Sequence, residues 1–259
     1  GDTTSQEMKN GPPPSSSTGD FYEDSFVVND VTNPGLIRYS YPGDPEAFPG
    51  TYYLDFETRE NDQVRLIKVV NSVLVVGLDS SIWRVNYLPS EIDASFNRGK
   101  AVEAISRKFG VVNPMCACVY SPSGGSEQLA FVSHKGIHST DGARFDNLTD
   151  DLDWRQVISL TSTSTPIAFL DDPEEQVLRF FYRNDSNGNE TYLQLLLHYD
   201  TDQVRISGPV HMRNYDSGGA GTYASLESAW TVPRTNGGTS LYLGYGGSSS
   251  AAGAGKVYL

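Results

Sequence analysis

The sequence predicts an all-β protein. Aromatic residues make up 11% of the chain, and Tyr, Val, Ser and Thr recur in short runs. Those runs are interrupted by 25 glycines together with Pro, Asn and Asp, which is the texture of strands joined by tight turns. At 259 residues the chain is long enough to bury a sizeable core.

Residues 1–19 contain Pro12-Pro-Pro14 and Ser15-Ser-Ser17 with almost no apolar side chains. Such a stretch cannot offset its ordering entropy by burial, so it is expected to be a flexible linker or an arm laid on a partner. Residues 20–259 are expected to form the folded domain. Phe26-Val-Val28 and Leu36-Ile-Arg-Tyr39 read as its first strands, with Asn33-Pro-Gly35 turning between them. Residues 51–57 alternate Tyr, Leu and Phe with polar residues.

Hairpin-like units follow. The apolar run 73–77 is turned by Asp79-Ser-Ser81 and returns as Ile82-Trp-Arg-Val85. Residues 129–133 lead through His134-Lys-Gly136 into Ile137-His-Ser139 and then Asp141-Gly142. Residues 177–182, 191–199 and 203–206 are separated by Asn184-Asp-Ser-Asn-Gly188 and Asp200-Thr-Asp202. Residues 240–245 lead through a Gly/Ser-rich loop to Lys256-Val-Tyr258. These units begin about 40–60 residues apart, the period of propeller blades with long loops. A β-propeller-like array of antiparallel hairpins is therefore expected, with a β-sandwich as the alternative. One short helix is expected near residues 100–109, where Val102, Ile105 and Phe109 fall at helical spacing before Gly110. The strand-like run ending at Leu259 has no closing turn, so the domain is expected to be incomplete at its C-terminal end.

The formal charge of −13 and pI near 4.6 argue against tight binding of nucleic acid, which needs clustered Lys and Arg. No apolar run approaches membrane-spanning length, so no membrane partner is expected. Cys116 and Cys118 form neither a disulfide framework nor a four-ligand zinc set and read as small core residues.

Three stretches resemble the β-propeller structural proteins found in the tail, neck and nozzle of tailed bacteriophages. The first is Ile37-Arg-Tyr-Ser40 with Pro42-Gly-Asp-Pro-Glu46 and Phe48-Pro49. The second runs Asp62-Gln-Val-Arg-Leu-Ile67, Ser72-Val-Leu-Val-Val-Gly77, Ile82-Trp-Arg-Val85. The third is Gly110-Val-Val-Asn-Pro114, Leu129-Ala-Phe-Val-Ser133, Lys135-Gly-Ile137 and Thr140-Asp-Gly142, followed by Leu148-Thr149 and Trp154. The closing Gly-Lys-Val-Tyr strand is also similar, and the order of the motifs over residues 30–160 carries the resemblance. It implies a virion structural protein of the tail or neck, forming a homo-oligomeric ring around the DNA channel. Its partners would be portal, adaptor or distal tail components, with DNA passing the lumen without tight binding.

The motifs themselves are structural. Gly136 and Gly142 stand where turns want positive φ, and Asp141 is placed to cap its own turn. Trp83 and Trp154 are large wedges suited to the space between sheets. Ser139-Thr-Asp-Gly-Ala-Arg-Phe145 resembles the Asp-box of sialidase-type propellers, but Gly142 comes one residue early and Phe145 replaces the Trp.

No catalytic, cofactor-binding or metal site is expected. Of the four histidines, His134 and His138 are four apart with Gly136 between them, and His198 and His211 stand alone. Asp185, Asn187 and Asn189 alternate like the start of a calcium loop but lack its terminal Glu and flanking helices. Asp150-Asp151, Asp171-Asp172 and Glu174-Glu175 read as solvated loops. No nucleophile elbow, P-loop or dinucleotide fingerprint occurs, and the reading is of a non-enzyme. The alternative function is a glycan- or receptor-binding β module on a virion or cell surface, whose loops would present Asn184, Asn187, Tyr215 and Tyr223.

Overall fold

The computed structural model describes residues 11–56, 62–89, 101–122, 125–150, 152–154, 164–184, 191–200, 205–211, 225–233, 239–246 and 257–258. Among them lie nineteen strands in five antiparallel sheets. The first sheet holds β1 (Gly19–Tyr22), β2 (Ser25–Asn29), β3 (Leu36–Tyr39) and β4 (Tyr53–Asp55). The second holds β5 (Val64–Val70), β6 (Val73–Leu78), β7 (Ile82–Val85) and β8 (Val102–Ser106). The third is β9 (Ala117–Tyr120), β10 (Gln128–Ser133), β11 (Gly136–Thr140) and β12 (Phe145–Asn147). The fourth is β13 (Ser164–Asp172), β14 (Val177–Asn184), β15 (Thr191–His198) and β16 (Arg205–His211). The fifth has β17 (Ser225–Pro233), β18 (Thr239–Gly246) and β19 (Val257–Tyr258).

In every sheet the spatial order follows the chain order, so each is a simple up-and-down meander. The first strands of neighbouring sheets also touch: β1 meets β5, and β13 meets both β9 and β17. Meanders of three or four strands, joined along their first strands within each part of the chain, make the fold all-β and propeller-like.

Packing divides the chain into two compact units. One comprises residues 1–114, 127–129 and 139–146, the other 115–126, 130–138 and 147–259. The core of the first gathers Val27, Ile37, Tyr39, Leu54, Val76 and Trp83 with their neighbours. In the second, Ile167, Ala168, Phe181 and Ala229 form a cluster that Leu170 and Leu241 pack against.

Some middle strands are apolar almost without interruption because both of their faces are covered. β6 is Val-Leu-Val-Val-Gly-Leu and all but its first residue is buried. β3 alternates instead, with Ile37 and Tyr39 inward and Leu36 and Arg38 half-exposed. Prolines fall on edge positions: Pro166 in β13, Pro209 in β16 and Pro233 in β17. An outer strand can spare the ladder N–H that proline lacks, and a bulge follows Pro166.

One expectation is corrected. The short helix near residues 100–109 is a strand over Val102–Ser106. Val102 and Ala104 pack against the first unit's core while Glu103 faces outward, opposite Arg84 on β7. Pairing to β7 and that two-residue alternation overrode a helical spacing carried by only three apolar residues. Residues 11–18 bond back to the strands and loops that follow them. Phe48 N–H bonds to the Gly11 carbonyl, and Val31 N–H to that of Ser15. Asn29 Oδ1 accepts the N–H groups of Ser17 and Thr18, while its Nδ2 donates to Ser17 Oγ. Gly19 is already the first residue of β1.

Candidate functional site

The hairpin turn after β11 is built by its own side chains. Asp141 Oδ1 accepts the N–H groups of Ala143 at 2.8 Å and Arg144 at 2.7 Å. Thr140 Oγ1 accepts the Gly142 N–H at 3.1 Å and donates to the Arg144 carbonyl at 2.5 Å. Gly142 has φ +93, and a Cβ there would stand 3.1 Å from Val73. The Arg144 amide, seconded by that of Ala143, holds the Asp141 carboxyl below its ordinary value. The ring of Phe145 stacks on Phe109 at 5.2 Å. What would be the tryptophan of an Asp-box is here an aromatic that stacks, and the carboxylate serves the turn.

Gly136 opens β11 with φ +152, and a Cβ there would lie 2.6 Å from Thr149 Oγ1. That hydroxyl accepts the Ile137 N–H at 3.0 Å. His138 is fully buried, with Nε2 2.8 Å from Ser133 Oγ and its ring against Phe131. Burial pushes its pKa down to about 4, so the imidazole is neutral. His134 is exposed in the preceding turn and does not join it. His198 Nε2 meets Ser207 Oγ at 2.8 Å. His211 closes β16 opposite Leu193, and its side chain lies outside the described residues. Among the described residues no three His, Cys, Asp or Glu side chains gather as a metal would require.

Three acidic clusters stand out, two of which the sequence did not single out. Asp62 accepts the Ser80 N–H at 2.9 Å and the hydroxyls of Ser80 and Ser81 at 2.8 and 3.1 Å. Ser81 Oγ in turn accepts the Trp83 indole N–H at 2.9 Å. Asp30, almost wholly buried, binds Arg38 Nε at 2.7 Å and takes the N–H groups of Thr32 and Asn33. Burial opposes its ionisation, yet the bonds from Arg38 and Asn33 hold its carboxyl below the usual value.

The third cluster corrects an expectation. Asp171 and Asp172 are the last two residues of β13, not a solvated loop. Asp171 Oδ1 accepts the Tyr199 hydroxyl at 2.6 Å, and burial raises its pKa to about 6. Asp172 Oδ2 instead binds Arg179 at 2.8–2.9 Å. Immediately before β9, burial pushes the Cys116 thiol up to about 12. Burial first, then the Asp171 charge, holds the Cys118 thiol well above its ordinary value. Both cysteines are free, and the rings of Tyr120 and Tyr199 meet at 5.1 Å. Only the unusual partnering of a carboxyl with a tyrosine sets this group apart, and residues 118, 171 and 199 have no local pattern that joins them.

Of the expected binding loops, Asn184 ends β14 opposite Thr191, with its side chain outside the described residues. Asn187, Tyr215 and Tyr223 lie outside them altogether, as do Asp185 and Asn189. The arrangement as a whole defines a class: an all-β scaffold whose positioned carboxylates latch turns and strand ends.

No family model matches the chain, and no curated protein does. Among solved structures it is similar to an extracellular domain assigned to a hybrid two-component system of B. thetaiotaomicron. That match has 11% identity and a TM-score of 0.37, covering 88% of this chain and 31% of the other, so this chain spans about a third of that protein. It is also similar to the N-terminal domain of Nup159, at 12% identity and a TM-score of 0.30, covering 88% and 72%. At such scores neither likeness bears on function.

Proposed function

We propose that this chain is a structural component of a bacteriophage tail or neck that acts by assembly. It forms a homo-oligomeric ring around the DNA channel and joins portal or adaptor to distal tail parts. The observation that carries this reading is how its best-placed acids are used. Asp30, Asp62 and Asp141 each spend a carboxylate on backbone N–H groups of a turn, which suits a rigid scaffold. The ordered resemblance over residues 30–160 gives that scaffold its setting. A net charge of −13 supports a lumen past which DNA slides, since like charges discourage adhesion. Cryo-electron microscopy of the purified chain and of intact particles tests the proposal. Rings in solution and density in the tail or neck are expected. A monomer absent from particles overturns it.

One observation favours the alternative of glycan or receptor binding. Tyr41 is 52% exposed at the open end of a stack in which Tyr52 lies between it and Tyr39. An exposed tyrosine held flat is a platform for a sugar ring. A glycan array that binds the chain, and loses binding with Tyr41→Ala, would favour this reading over assembly.

A further inference from the structure

Asp171 stands where a carboxylate is poorly supported. It lies at the end of β13, which packs against β9 and bonds from Phe169 N–H to the carbonyl of Met115, two residues before β9, at 3.0 Å. Among the described residues its hydrogen-bond partner is a neutral one, the Tyr199 hydroxyl. Arg179, whose partners are the neighbouring Asp172 and Glu175, is already engaged, reaching Glu175 at 2.5 Å. β9 and the residue before it carry Cys116, Cys118 and Tyr120, of which none supplies positive charge at neutral pH. On β14 the facing charge is Arg179. The turn after β13 adds Glu174 and Glu175, both exposed. At the end of β15, His198 is directed to Ser207 rather than to Asp171. β17 meets the far end of β13 through Ala229, near Ile167 and Ala168, and its described side chains are uncharged.

We propose that Asp171, bonded to Tyr199 beside Cys118 and Asp172, is a proton-operated latch on the seam between β9 and β13. Protonation removes from the seam a buried charge that pairs with no cation among the described residues, and tightens it. Ionisation at neutral pH adds a second carboxylate beside Asp172, whose Arg179 is already shared with Glu175, and the seam loosens. The pKa of about 6 agrees with this geometry: burial raises it most, Tyr199 opposes, and Asp172 raises it further. The sign follows from linkage. The folded value stands above the ordinary 3.8, so the stabilisation is fully present below about pH 4 and is lost as pH rises through about 6.

The test is hydrogen exchange at the Phe169 amide of the full chain, corrected for the intrinsic pH dependence of exchange. Protection is expected to be about tenfold greater at pH 5 than at pH 7.5, and Asp171→Asn should remove most of that difference. A carbon-detected carboxyl titration of the unmodified chain should place the Asp171 midpoint near 6, and Tyr199→Phe should raise it. Equal protection at both pH values, a pH difference that survives Asp171→Asn, or a midpoint near 4 overturns the proposal. The exchange and titration of the unmodified chain decide the matter even if Asp171→Asn does not fold.

Discussion

The indole N–H of Trp83 donates to the hydroxyl of Ser81 across 2.9 Å, and Ser81 passes its own hydrogen to Asp62. Trp83 is thereby fixed in orientation as well as buried. Phe56 meets one side of its ring at 5.7 Å, and the Arg107 guanidinium stands 5.1 Å from its centroid. A large side chain in a packed core needs its one polar atom satisfied, and the β6–β7 turn supplies the partner.

Asp62→Ala removes the acceptor for one N–H and two hydroxyls at once. It should destabilise the first unit by about 2 kcal/mol, because the Ser81 hydroxyl stays buried while the exposed Ser80 groups can turn to water. Asp62→Asn retains an acceptor oxygen and should cost less, about 1 kcal/mol. Urea unfolding followed by Trp83 fluorescence reads both values. A loss under 0.5 kcal/mol for Asp62→Ala would mean that the network is decorative.

Gly142→Ala and Gly43→Ala form a matched pair. Both glycines have positive φ, +93 and +79, so both substitutions strain the backbone by about 1 kcal/mol. A Cβ at Gly43 meets nothing within 4 Å, whereas one at Gly142 meets Val73 at 3.1 Å. Thermal melts should show a larger fall in Tm for Gly142→Ala. Equal falls would show that Val73 yields freely.

Native chain should resist thiol labelling. Burial holds both thiols protonated, Cys116 up to about 12 and Cys118 well above its ordinary value. The thiolate is the reacting species, so a disulfide-exchange dye at pH 8 should leave both cysteines unmodified and react with both after denaturation. Rapid labelling of the folded chain contradicts this.

Asp141 predicts the opposite pH behaviour from Asp171. The amides of Arg144 and Ala143 hold its folded pKa below the ordinary 3.8. Its stabilisation is therefore present above about pH 4 and lost as pH falls through the folded value. Asp141→Asn should shallow the acid limb of the unfolding curve below pH 4 and cost about 0.5–1 kcal/mol at neutral pH. An unchanged acid limb would remove Asp141 from the acid response.

The hairpins were legible because their information is local. Asp79-Ser80-Ser81 turns between β6 and β7, and His134-Lys135 between β10 and β11, where the composition places them. The turn at Asn71-Ser72 was harder to read. Both residues have positive φ, +48 and +62, without any glycine. Asn71 Nδ2 donates to the Glu127 carbonyl at 2.6 Å and the Asp141 carbonyl at 3.3 Å. Partners 56 and 70 residues away help to hold a conformation that Ser72 would not choose alone.

The candidate site was less legible than the fold. The sequence pointed to Gly136, Asp141 and Gly142 through turn grammar, and could not point to Asp62 or Asp171. Asp62 acts on residues 18 and 19 positions away, and Asp171 on one 28 positions away. Their neighbours look like ordinary acidic loops.

What the sequence determined by itself is therefore the β class, the strand and turn grammar and the acidic balance, all properties of neighbouring residues and of composition. Tertiary structure decided the rest. It turned residues 102–106 into a strand because β7 offered a ladder and a core face. It also sorted two adjacent aspartates, giving Arg179 to Asp172 and leaving Asp171 a tyrosine. The physical reason is that packing and charge pairing depend on distances in space, and residues far apart in the chain meet only once the sheets have formed.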